Sequence, residues 1–387
     1  MSIRLRIPPA ACAVIGVALG ALFLGGCKPK QPPPTMARQE QAKPLEITFA
    51  YGSEKERWID DVTEAFNQGN FSTAGGSRIV VKAVPMASGE AMDEILSGRR
   101  QPDLVSPASS AFIELGNAES QRKYGRPLIG RTDSLVRSPL VIAMWKPMAE
   151  SLGWGKKSIG WSDLLALARN PQGWKAYGNP QWGEFKFGHT RPQFSSSGLL
   201  TLLAEVYAAA GKNSGLTAAD LRKRQLVDYL SAIEKSVSYR GSSTGFYGRL
   251  FLSDPQSLSA AALYENMVIE SYSDGQLPYP IVAIYPKEGT LWSDHPVGIV
   301  EREWVNPERR AAAAIYIDYL LQRPQQEKAV LYGFRPALRD VPIGPPIDLA
   351  HGVNPRKPNP NLELPSVPVM ESILDLWENG SVTRPGM

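Results

Sequence analysis

Serine-rich junctions that precede predicted helices are the groups in this sequence best suited to bind a small molecule. The segment Phe194-Ser195-Ser196-Ser197-Gly198 leads into a strongly apolar helix predicted over 197–210. Unpaired amides and the helix dipole favour an anion at such a position, and the serine hydroxyls add hydrogen-bond donors. Serine is also an ordinary N-cap residue. The junction therefore predicts a cap, a ligand contact through Ser195, Ser196 and Ser197, or both.

Three further serines lie at comparable places near the start of the folded chain. Ser53 follows the first predicted strand, Ser88 begins the second predicted helix, and Ser106 follows the third predicted strand. Ordinary turn chemistry explains each of them. Each is also placed where a loop could contact a ligand, so all three are candidate ligand-binding residues.

The segment Gly241-Ser242-Ser243-Thr244-Gly245 matches the G-x-S-x-G pattern of a hydrolase nucleophile. A hydrolase also needs a histidine base and an acid downstream. Only His295 and His351 follow, each beside proline or glycine, and the HGGG oxyanion-hole signature is absent from the sequence. The segment equally fits a helix start that contributes Thr244 to a binding cleft. Catalysis by Ser243 is a remote alternative, and no enzyme activity is expected.

Other site chemistries find little support. The three histidines, at 189, 295 and 351, are too scattered for a metal signature, and phosphate-binding glycine loops are missing. No metal or cofactor is therefore expected. Four tryptophans fall in one stretch, which fits either a sugar-stacking platform or ordinary aromatic packing; they are Trp154, Trp161, Trp174 and Trp182.

The N-terminus predicts export. Residues 1–26 contain a charged start with Arg4 and Arg6, an apolar run over 10–24 and two glycines before Cys27. The apolar run is shorter than the roughly 20 residues that span a bilayer, which disfavours a membrane anchor. Leu24-Gly25-Gly26-Cys27 resembles the lipobox of bacterial lipoproteins. That resemblance implies cleavage before Cys27, lipidation of its thiol and tethering in the cell envelope, with residues 27–44 as the proline-rich tether.

The charge distribution disfavours nucleic acid as a partner. The formal net charge is +4, but Arg4 and Arg6 lie in the signal and residues 28–44 carry a further +3, so the remainder is about −1. A nucleic-acid-binding protein would carry its basic excess on the folded body. Cys12 and Cys27 are the only cysteines, so the folded part contains no disulfide or thiolate.

Apolar patterning predicts an α/β fold in which strands alternate with helices. The predicted strands are 45–51, 78–84, 103–105, 138–145, 280–285 and 297–300. The predicted helices are 54–68, 89–98, 161–169, 197–210, 218–236, 257–271, 306–321, 324–332 and 368–378. Eight prolines over 342–368 exclude regular structure there. The apolar stripe of the last helix predicts that this tail docks onto the body.

Four blocks in order resemble the type II two-lobed solute-binding proteins of bacterial uptake transporters. They are LEITFAYGSEKERWIDDVTEAFNQ from Leu45, SPLVIAMWKPMAESLGW with IGWSDLLALA, FSSSGLLTLLAEVYAAAG, and VAIYPKEGTLWSDHPVGIV with the later GFRPA. The resemblance implies lobe 1 from 45–137 plus 284–340, lobe 2 from 138–283, a hinge of two crossing strands and a ligand cleft between the lobes. It also implies that Glu265, placed on a helix with Tyr264, and Tyr285 face that cleft. Residues 341–387 lie outside the resemblance.

The expected function is therefore that of a lipid-anchored, extracytoplasmic and monomeric protein that captures a small ligand for an ABC-type permease. An oxyanion such as molybdate or sulfate suits a serine-lined cleft, but a sugar or a peptide edge does as well. The same fold could instead serve as a surface sensor or protein-interaction module, which the proline-rich tail favours.

Overall fold

Two β-sheets with helices packed on them organise the chain. The computed structural model describes residues 43–273, 275, 277–356 and 360–379. The predicted signal peptide and Cys27 lie outside these residues, and so does all of the tether except Lys43 and Pro44. The chain from Lys43 onward forms one compact unit of its own. Within the described ranges, no helix combines the length and the apolar character needed to cross a membrane.

The strands and helices of the described residues follow in chain order. The strands are β1 (Leu45–Gly52), β2 (Ile79–Met86), β3 (Leu104–Ser106), β4 (Ile129–Ser134), β5 (Val136–Trp145), β6 (Phe187–Thr190), β7 (Val237–Gly241), β8 (Ala260–Tyr264), β9 (Ile281–Ile284), β10 (Trp292–Ser293), β11 (Pro296–Val300) and β12 (Arg335–Pro336). The helices are α1 (Glu56–Gln68), α2 (Ser88–Leu96), α3 (Ser110–Tyr124), α4 (Lys146–Ser151), α5 (Trp161–Arg169), α6 (Ser196–Ala210), α7 (Ala218–Leu221), α8 (Arg224–Glu234), α9 (Thr244–Phe251), α10 (Glu265–Glu270), α11 (Pro307–Leu320), α12 (Arg323–Leu331) and α13 (Val367–Glu378).

The first sheet has the strand order β2-β1-β3-β11-β4. Strands β1, β2 and β3 are parallel, as the alternation of strands and helices predicts. Strand β11, which comes from much later in the chain, lies antiparallel between β3 and β4. Helices α1 and α11 pack on this sheet through buried apolar residues that include Trp58, Phe66 and Tyr316. The expectation of a mainly parallel sheet is confirmed, with β11 as its antiparallel exception.

The second sheet has the order β10-β5-β8-β6-β7, with β9 and β12 also paired to β5. Helix α6 lies so deep against this sheet that twelve of its fifteen residues are buried. Strand β5 enters this sheet directly after β4 of the first one, and the returning strand β10 pairs antiparallel with its start, Trp292 opposite Pro139. These two segments are the crossing strands of a two-lobed fold, so the predicted fold class is confirmed.

One predicted element is wrong and several were missed. The helix expected over 257–271 is instead strand β8 followed by the short helix α10, so Tyr264 ends a strand and only Glu265 begins a helix. The helix expected over 218–236 is divided into α7 and α8. Helix α3 and strands β4 and β6 were not predicted. Strand β8 lies between β5 and β6. Its small alanines pack beneath the helices there, and this tertiary packing outweighs the helix propensity of alanine.

The C-terminal residues run back along the body. Beyond β12 the chain bonds to β9 through Gly352, whose carbonyl accepts from Ala283 N at 2.8 Å. Helix α13 then packs against α3, α6 and α7. Its residues Val369, Met370, Ile373 and Trp377 are buried in the larger apolar core.

Candidate functional site

The two lobes contact each other directly where their loop–helix junctions meet. Gly89 N at the start of α2 donates to Phe194 O, in the loop before α6, at 2.8 Å. Gly245 N at the start of α9 donates to Ser53 Oγ at 3.1 Å. The side-chain amide of Asn266 donates to Glu54 O at 3.1 Å. The structure is therefore a closed form, in which the cleft between the lobes is shut.

On the lobe 1 side, this contact is formed by residues at the ends of two strands and at the start of a helix. Parallel strands β1 and β3 end side by side, so the turn after Gly52 and residue Ser106 lie at the same edge of the sheet. Helix α2 begins after Ala87, a residue with no side-chain oxygen to cap the first amides. An amide of this helix start is instead satisfied from the other lobe by Phe194 O.

On the lobe 2 side of the contact, four hydroxyl groups form a chain of hydrogen bonds. Thr244 Oγ1 lies 2.9 Å from both Ser195 Oγ and Ser197 Oγ, and Ser197 Oγ lies 2.8 Å from Thr190 Oγ1. All four residues are buried. These bonds join the end of β6 with the starts of α6 and α9, which fixes the position of both helix starts against the cleft.

On the lobe 1 side of the contact, Glu54, Lys55 and His295 form a buried group of interacting side chains, called the triad here. The Lys55 ammonium lies 2.6 Å from Glu54 Oε1, 3.2 Å from Ser106 O and 3.2 Å from His295 Nδ1. An ammonium has three protons, and these three acceptors use all of them. His295 Nδ1 also lies 3.3 Å from Glu54 Oε1, so it can accept from the ammonium or donate to the carboxylate. In the tautomer in which Nδ1 accepts from Lys55, the imidazole proton is on Nε2.

The electrostatics of the triad agree with a charged Glu54 and a neutral His295. The pKa of Glu54 is lowered to about 2, because Lys55 and His295 outweigh the opposing effect of burial. Burial, assisted by the nearby Lys55 charge, lowers the pKa of His295 to about 4. Burial also lowers the pKa of Lys55, and the Glu54 carboxylate opposes that shift. His295 is therefore uncharged near neutral pH, and Nε2 is its donor in the tautomer in which Nδ1 accepts from Lys55.

Four buried polar groups at the lobe contact have no hydrogen-bond partner: Ser106 Oγ, Ser196 Oγ, the Tyr264 hydroxyl and His295 Nε2. The Tyr264 and His295 rings pack edge to face with centroids 5.7 Å apart. Burial raises the pKa of Tyr264 far above its usual value, and interaction with the nearby Ser293 and Ser196 hydroxyls opposes the rise, although neither Tyr264 nor Ser196 makes a side-chain hydrogen bond of standard geometry. Lys55 connects His295 to the backbone carbonyl of Ser106.

Unpaired groups of this kind are uncommon in a protein interior and costly to bury, at about 1–3 kcal/mol each. Two come from lobe 1, Ser106 and His295, and two from lobe 2, Ser196 and Tyr264. All four can donate a hydrogen bond. The two lobes therefore each hold donors with unused hydrogen-bonding capacity, which suit a molecule that carries several acceptor atoms.

The sequence-predicted serines and threonine divide into two groups. Ser106 and Ser196 carry unpaired hydroxyls at the lobe contact. The other five, Ser53, Ser88, Ser195, Ser197 and Thr244, already use their side-chain oxygens for protein bonds, Ser88 by accepting from Ala108 N at 3.2 Å. These five shape the junctions, and their contact with a ligand stays a prediction.

Glu265 and Tyr285 lie together in a separate buried cluster. Arg335 donates to both carboxylate oxygens of Glu265 at 2.7 and 2.9 Å, and the Tyr285 hydroxyl donates to the same carboxylate. Arg335 also bonds to the carbonyls of Asn354 and Pro355 in the C-terminal segment. In this arrangement the two predicted residues bind the returning chain, and their contact with a ligand stays a prediction.

The G-x-S-x-G segment is the start of α9, where Ser243 is the N-cap residue. The two downstream histidines have other partners, because His295 bonds to Lys55 and His351 to Asp348. Among the described residues, no set of histidine, cysteine, aspartate and glutamate side chains has the arrangement of a metal site. Of the four tryptophans singled out, Trp161 and Trp174 are fully buried in the lobe 2 core.

Sequence reasoning missed Lys55 and missed His295 as a binding residue, and it named Tyr264 only beside Glu265 on an expected helix. Lys55 lies in the charged segment Ser-Glu-Lys-Glu-Arg, which resembles a solvated surface, yet its side chain is completely buried. His295 has the sequence surroundings of a loop histidine next to proline. A signal was present in its spacing from the last strand of lobe 1, since His295 immediately precedes β11 and so shares the sheet edge with Ser106.

Comparison with known proteins agrees with this geometry. Residues 47–335 match the family model of the bacterial extracellular solute-binding proteins, and the chain belongs to that family. Curated protein sequences gave no match. An extracytoplasmic location follows from the family.

Solved structures share the fold at low sequence identity. The sulfate-binding protein SubI from Mycobacterium tuberculosis is 18% identical with a TM-score of 0.53, covering 76% of this chain and 88% of its own. AfuA from Actinobacillus pleuropneumoniae, with fructose-6-phosphate bound, is 13% identical with a TM-score of 0.60 over 88% and 99%. Maltose-bound MalE3 from T. maritima is 16% identical with a TM-score of 0.60 over 88% and 95%. These proteins confirm the two-lobed fold, and their ligands differ in chemistry.

Proposed function

We propose that this protein captures a small solute between its lobes and delivers it to an ABC-type transporter while tethered through a lipidated Cys27. The observation that carries the proposal is the set of four buried, unpartnered donors at the lobe contact: Ser106, Ser196, Tyr264 and His295. Each lobe contributes two of them, so a ligand that bonds to all four stabilises the closed form over the open one. That difference in affinity is what couples binding to closure.

The donor set favours a compact ligand rich in acceptors, with a small oxyanion such as sulfate or molybdate as the first candidate. Two nearby carboxylates are paired with cations, Glu54 with Lys55 and Glu265 with Arg335. A third, Asp294 beside His295, accepts from Ser110 N at 2.9 Å and opposes an anion. Hydrogen bonds to a charged ligand contribute about 1.5–3 kcal/mol each. Four of them are sufficient for the roughly 8 kcal/mol of a micromolar site.

A binding screen tests the ligand class. The chain from Lys43 to Met387 would be titrated with sulfate, molybdate, phosphate, maltose and thiamin while its thermal unfolding is followed. A ligand present at about 100 times its dissociation constant adds about 2.7 kcal/mol of stability. We expect a shift of several degrees with an oxyanion. A shift with maltose or thiamin alone would refute the oxyanion class, and no shift with any compound would favour a protein partner.

Substitution of the unpaired donors tests the site. Ser106→Ala, Ser196→Ala and Tyr264→Phe each remove a hydroxyl that makes no hydrogen bond of standard geometry, so the ligand-free protein should lose little or no stability. The same changes should weaken binding about tenfold or more, since each removes a donor to a charged ligand. Ser271→Ala is the matched control, because that buried hydroxyl already bonds to Val268 O. Unchanged affinity in all three variants would exclude these groups from the site.

Membrane tethering is tested separately in cells. The full-length protein should incorporate a clickable palmitate analogue and fractionate with membranes, and Cys27→Ser should lose both properties. Palmitate incorporation that survives Cys27→Ser would contradict the anchor. Ligand binding by the chain from Lys43 is independent of this result.

A further inference from the structure

The C-terminal residues that the structure describes lie along the body and are called the strap here, defined as residues 341–356 and 360–379. The strap first lies against the edge of lobe 2, where Ala283 N donates to Gly352 O. Just beyond, at the hinge, the guanidinium of Arg335 donates to Asn354 O at 2.7 Å and to Pro355 O at 3.0 Å. The first part of the strap is thus fixed to the hinge and to lobe 2.

The next part adds backbone bonds at the returning crossover segment and at α6. Thr290 N donates to Pro360 O, and Leu362 N donates to Thr290 O, both at 3.0 Å. The Tyr207 hydroxyl, on the last turns of α6, donates to Glu363 O at 2.8 Å. These contacts carry the strap along lobe 2 up to the start of α13.

Helix α13 contacts both lobes at once. On the lobe 2 side, Trp377 is 7% exposed and its indole N–H donates to Glu234 Oε1 at 3.2 Å, while the guanidinium of Arg240 lies 5.8 Å from its ring centroid. On the lobe 1 side, Glu371 pairs with Arg122 of α3 at 2.7 Å. The lobe 2 contacts are buried, whereas the pair with lobe 1 is partly exposed.

We infer that the strap is a latch that holds the lobes closed, independently of any ligand. Opening of the cleft moves α3 of lobe 1 relative to α6 and α7 of lobe 2, so α13 can stay packed on all three helices only in the closed arrangement. The buried anchor at Trp377 keeps α13 on lobe 2. Opening therefore separates α13 from α3 and breaks the Arg122–Glu371 pair.

A latch of this kind shifts the balance between open and closed forms in the ligand-free protein. An interaction made only in the closed form raises the closed population, and with it the apparent affinity for any ligand that needs that form. The strap would thus determine how much of the ligand-free protein is closed. The serine junctions and the triad do not account for that balance.

Distance measurements between spin labels test the latch without a ligand. The chain from Lys43 to Met387 contains no cysteine, so Ala65→Cys on α1 and Ala166→Cys on α5 give one exposed label on each lobe. Double electron–electron resonance then reports the interlobe distance distribution. We expect a mainly closed distance distribution with a minor open component for the unsubstituted strap.

Reversing one charge on α13 should release lobe 1. Arg122 also pairs with Glu119 of its own helix at 2.7 Å, so Glu371→Arg replaces the interlobe pair with a partly compensated repulsion, and we expect the open fraction to rise about twofold to threefold. Glu378→Arg, the same charge change on an exposed residue of the same helix, is the matched control and should leave the distances unchanged. Exchanging the pair with Arg122→Glu and Glu371→Arg together should restore closure only in part, because the new carboxylate at position 122 lies beside Glu119.

Several results would overturn the latch. They are an open distance distribution with the native strap, an unchanged distribution in Glu371→Arg, or an equal shift in Glu378→Arg. A second variant that ends after Pro365 removes α13 entirely, and circular dichroism checks that it folds. If it folds and stays closed, the latch is refuted; if it unfolds, Glu371→Arg decides.

Discussion

Gly89 is the position at which a single added carbon should prevent the lobes from closing. A Cβ on this residue would lie 2.1 Å from Gln193 O, which belongs to the opposite lobe. Ordinary contacts of this type begin near 3.4 Å, so the two backbones must separate by about 1 Å or more. The neighbouring bond from Gly89 N to Phe194 O, now 2.8 Å, would then exceed the usable hydrogen-bond range.

The size of the effect follows from that bond and from the helix. Loss of a backbone hydrogen bond costs about 0.5–1.5 kcal/mol, which lowers the closed population and the affinity by about threefold to tenfold. Alanine favours a helix over glycine by up to about 1 kcal/mol, so the ligand-free melting temperature of Gly89→Ala should not fall through helix propensity. The added Cβ would also lie 2.7 Å from Phe112 Cε1 inside lobe 1, and overpacking of this kind costs about 1–3 kcal/mol. The expected signature is therefore a loss of closure with a loss of stability no larger than that.

The assay is the interlobe distance between labels at positions 65 and 166, combined with a sulfate titration. Gly116→Ala is the matched control, since it adds a methyl group to α3 within lobe 1, against the flexible Met92 side chain. Gly245→Ala repeats the test at the second interlobe bond, where its Cβ would lie 2.7 Å from Ser53 O. The reasoning is refuted if Gly89→Ala and Gly245→Ala both remain closed.

Three further predictions concern stability. As pH falls from 6.5 towards 4, the unfolded chain binds a proton at His295 that the folded chain excludes, so the free energy of unfolding should fall by about 2–3 kcal/mol in that window. The stability of His295→Gln, followed by thermal unfolding, should depend less on pH. The same pH dependence as in the wild type would contradict the lowered pKa of His295. Arg335→Gln leaves Glu265 buried and unpaired, and it should lower the free energy of urea unfolding by about 3–5 kcal/mol. The control Arg323→Gln, at the exposed pair with Asp340, should lower it by less than about 1 kcal/mol. Similar losses of stability in the two variants would show that burial of the Arg335–Glu265 pair is not decisive. Ser197→Ala removes two buried hydrogen bonds between hydroxyl groups, so it should destabilise the ligand-free protein by about 1 kcal/mol or more. Ser196→Ala, one residue away, should not have this effect. Calorimetry on the two variants measures the difference.

The sequence patterns predicted the fold better than the site. Strand β1 and helices α1, α5 and α6 lie close to their predicted bounds, because long apolar runs and helical periodicity are local properties. The alanines of β8 were misassigned to a helix because their conformation depends on the neighbouring strands β5 and β6. The serine-rich junctions indicated Ser106 and Ser196 as candidates, since helix starts and strand ends are visible in the sequence.

Burial and long-range pairing are not visible in the same way. Nothing local distinguishes Lys55 from a surface lysine, and its position depends on Glu54, the Ser106 carbonyl and His295 all meeting at one edge of the first sheet. The family resemblance implies a cleft position for Glu265, and its pairing with Arg335, 70 residues further along the chain, is not visible in the sequence. Both outcomes are set by topology rather than by residue type.

The position of β11 has a consequence for how the chain must fold after synthesis. Val105 of β3 pairs with Gly298 of β11, and Ile129 of β4 pairs with Val300, so β4 has no neighbour in the first sheet until β11 arrives. Lobe 2 lies between these partners in the chain and can form its own strand pairs first. The first sheet is therefore completed late, and its pairing of distant strands predicts slow folding that begins with lobe 2.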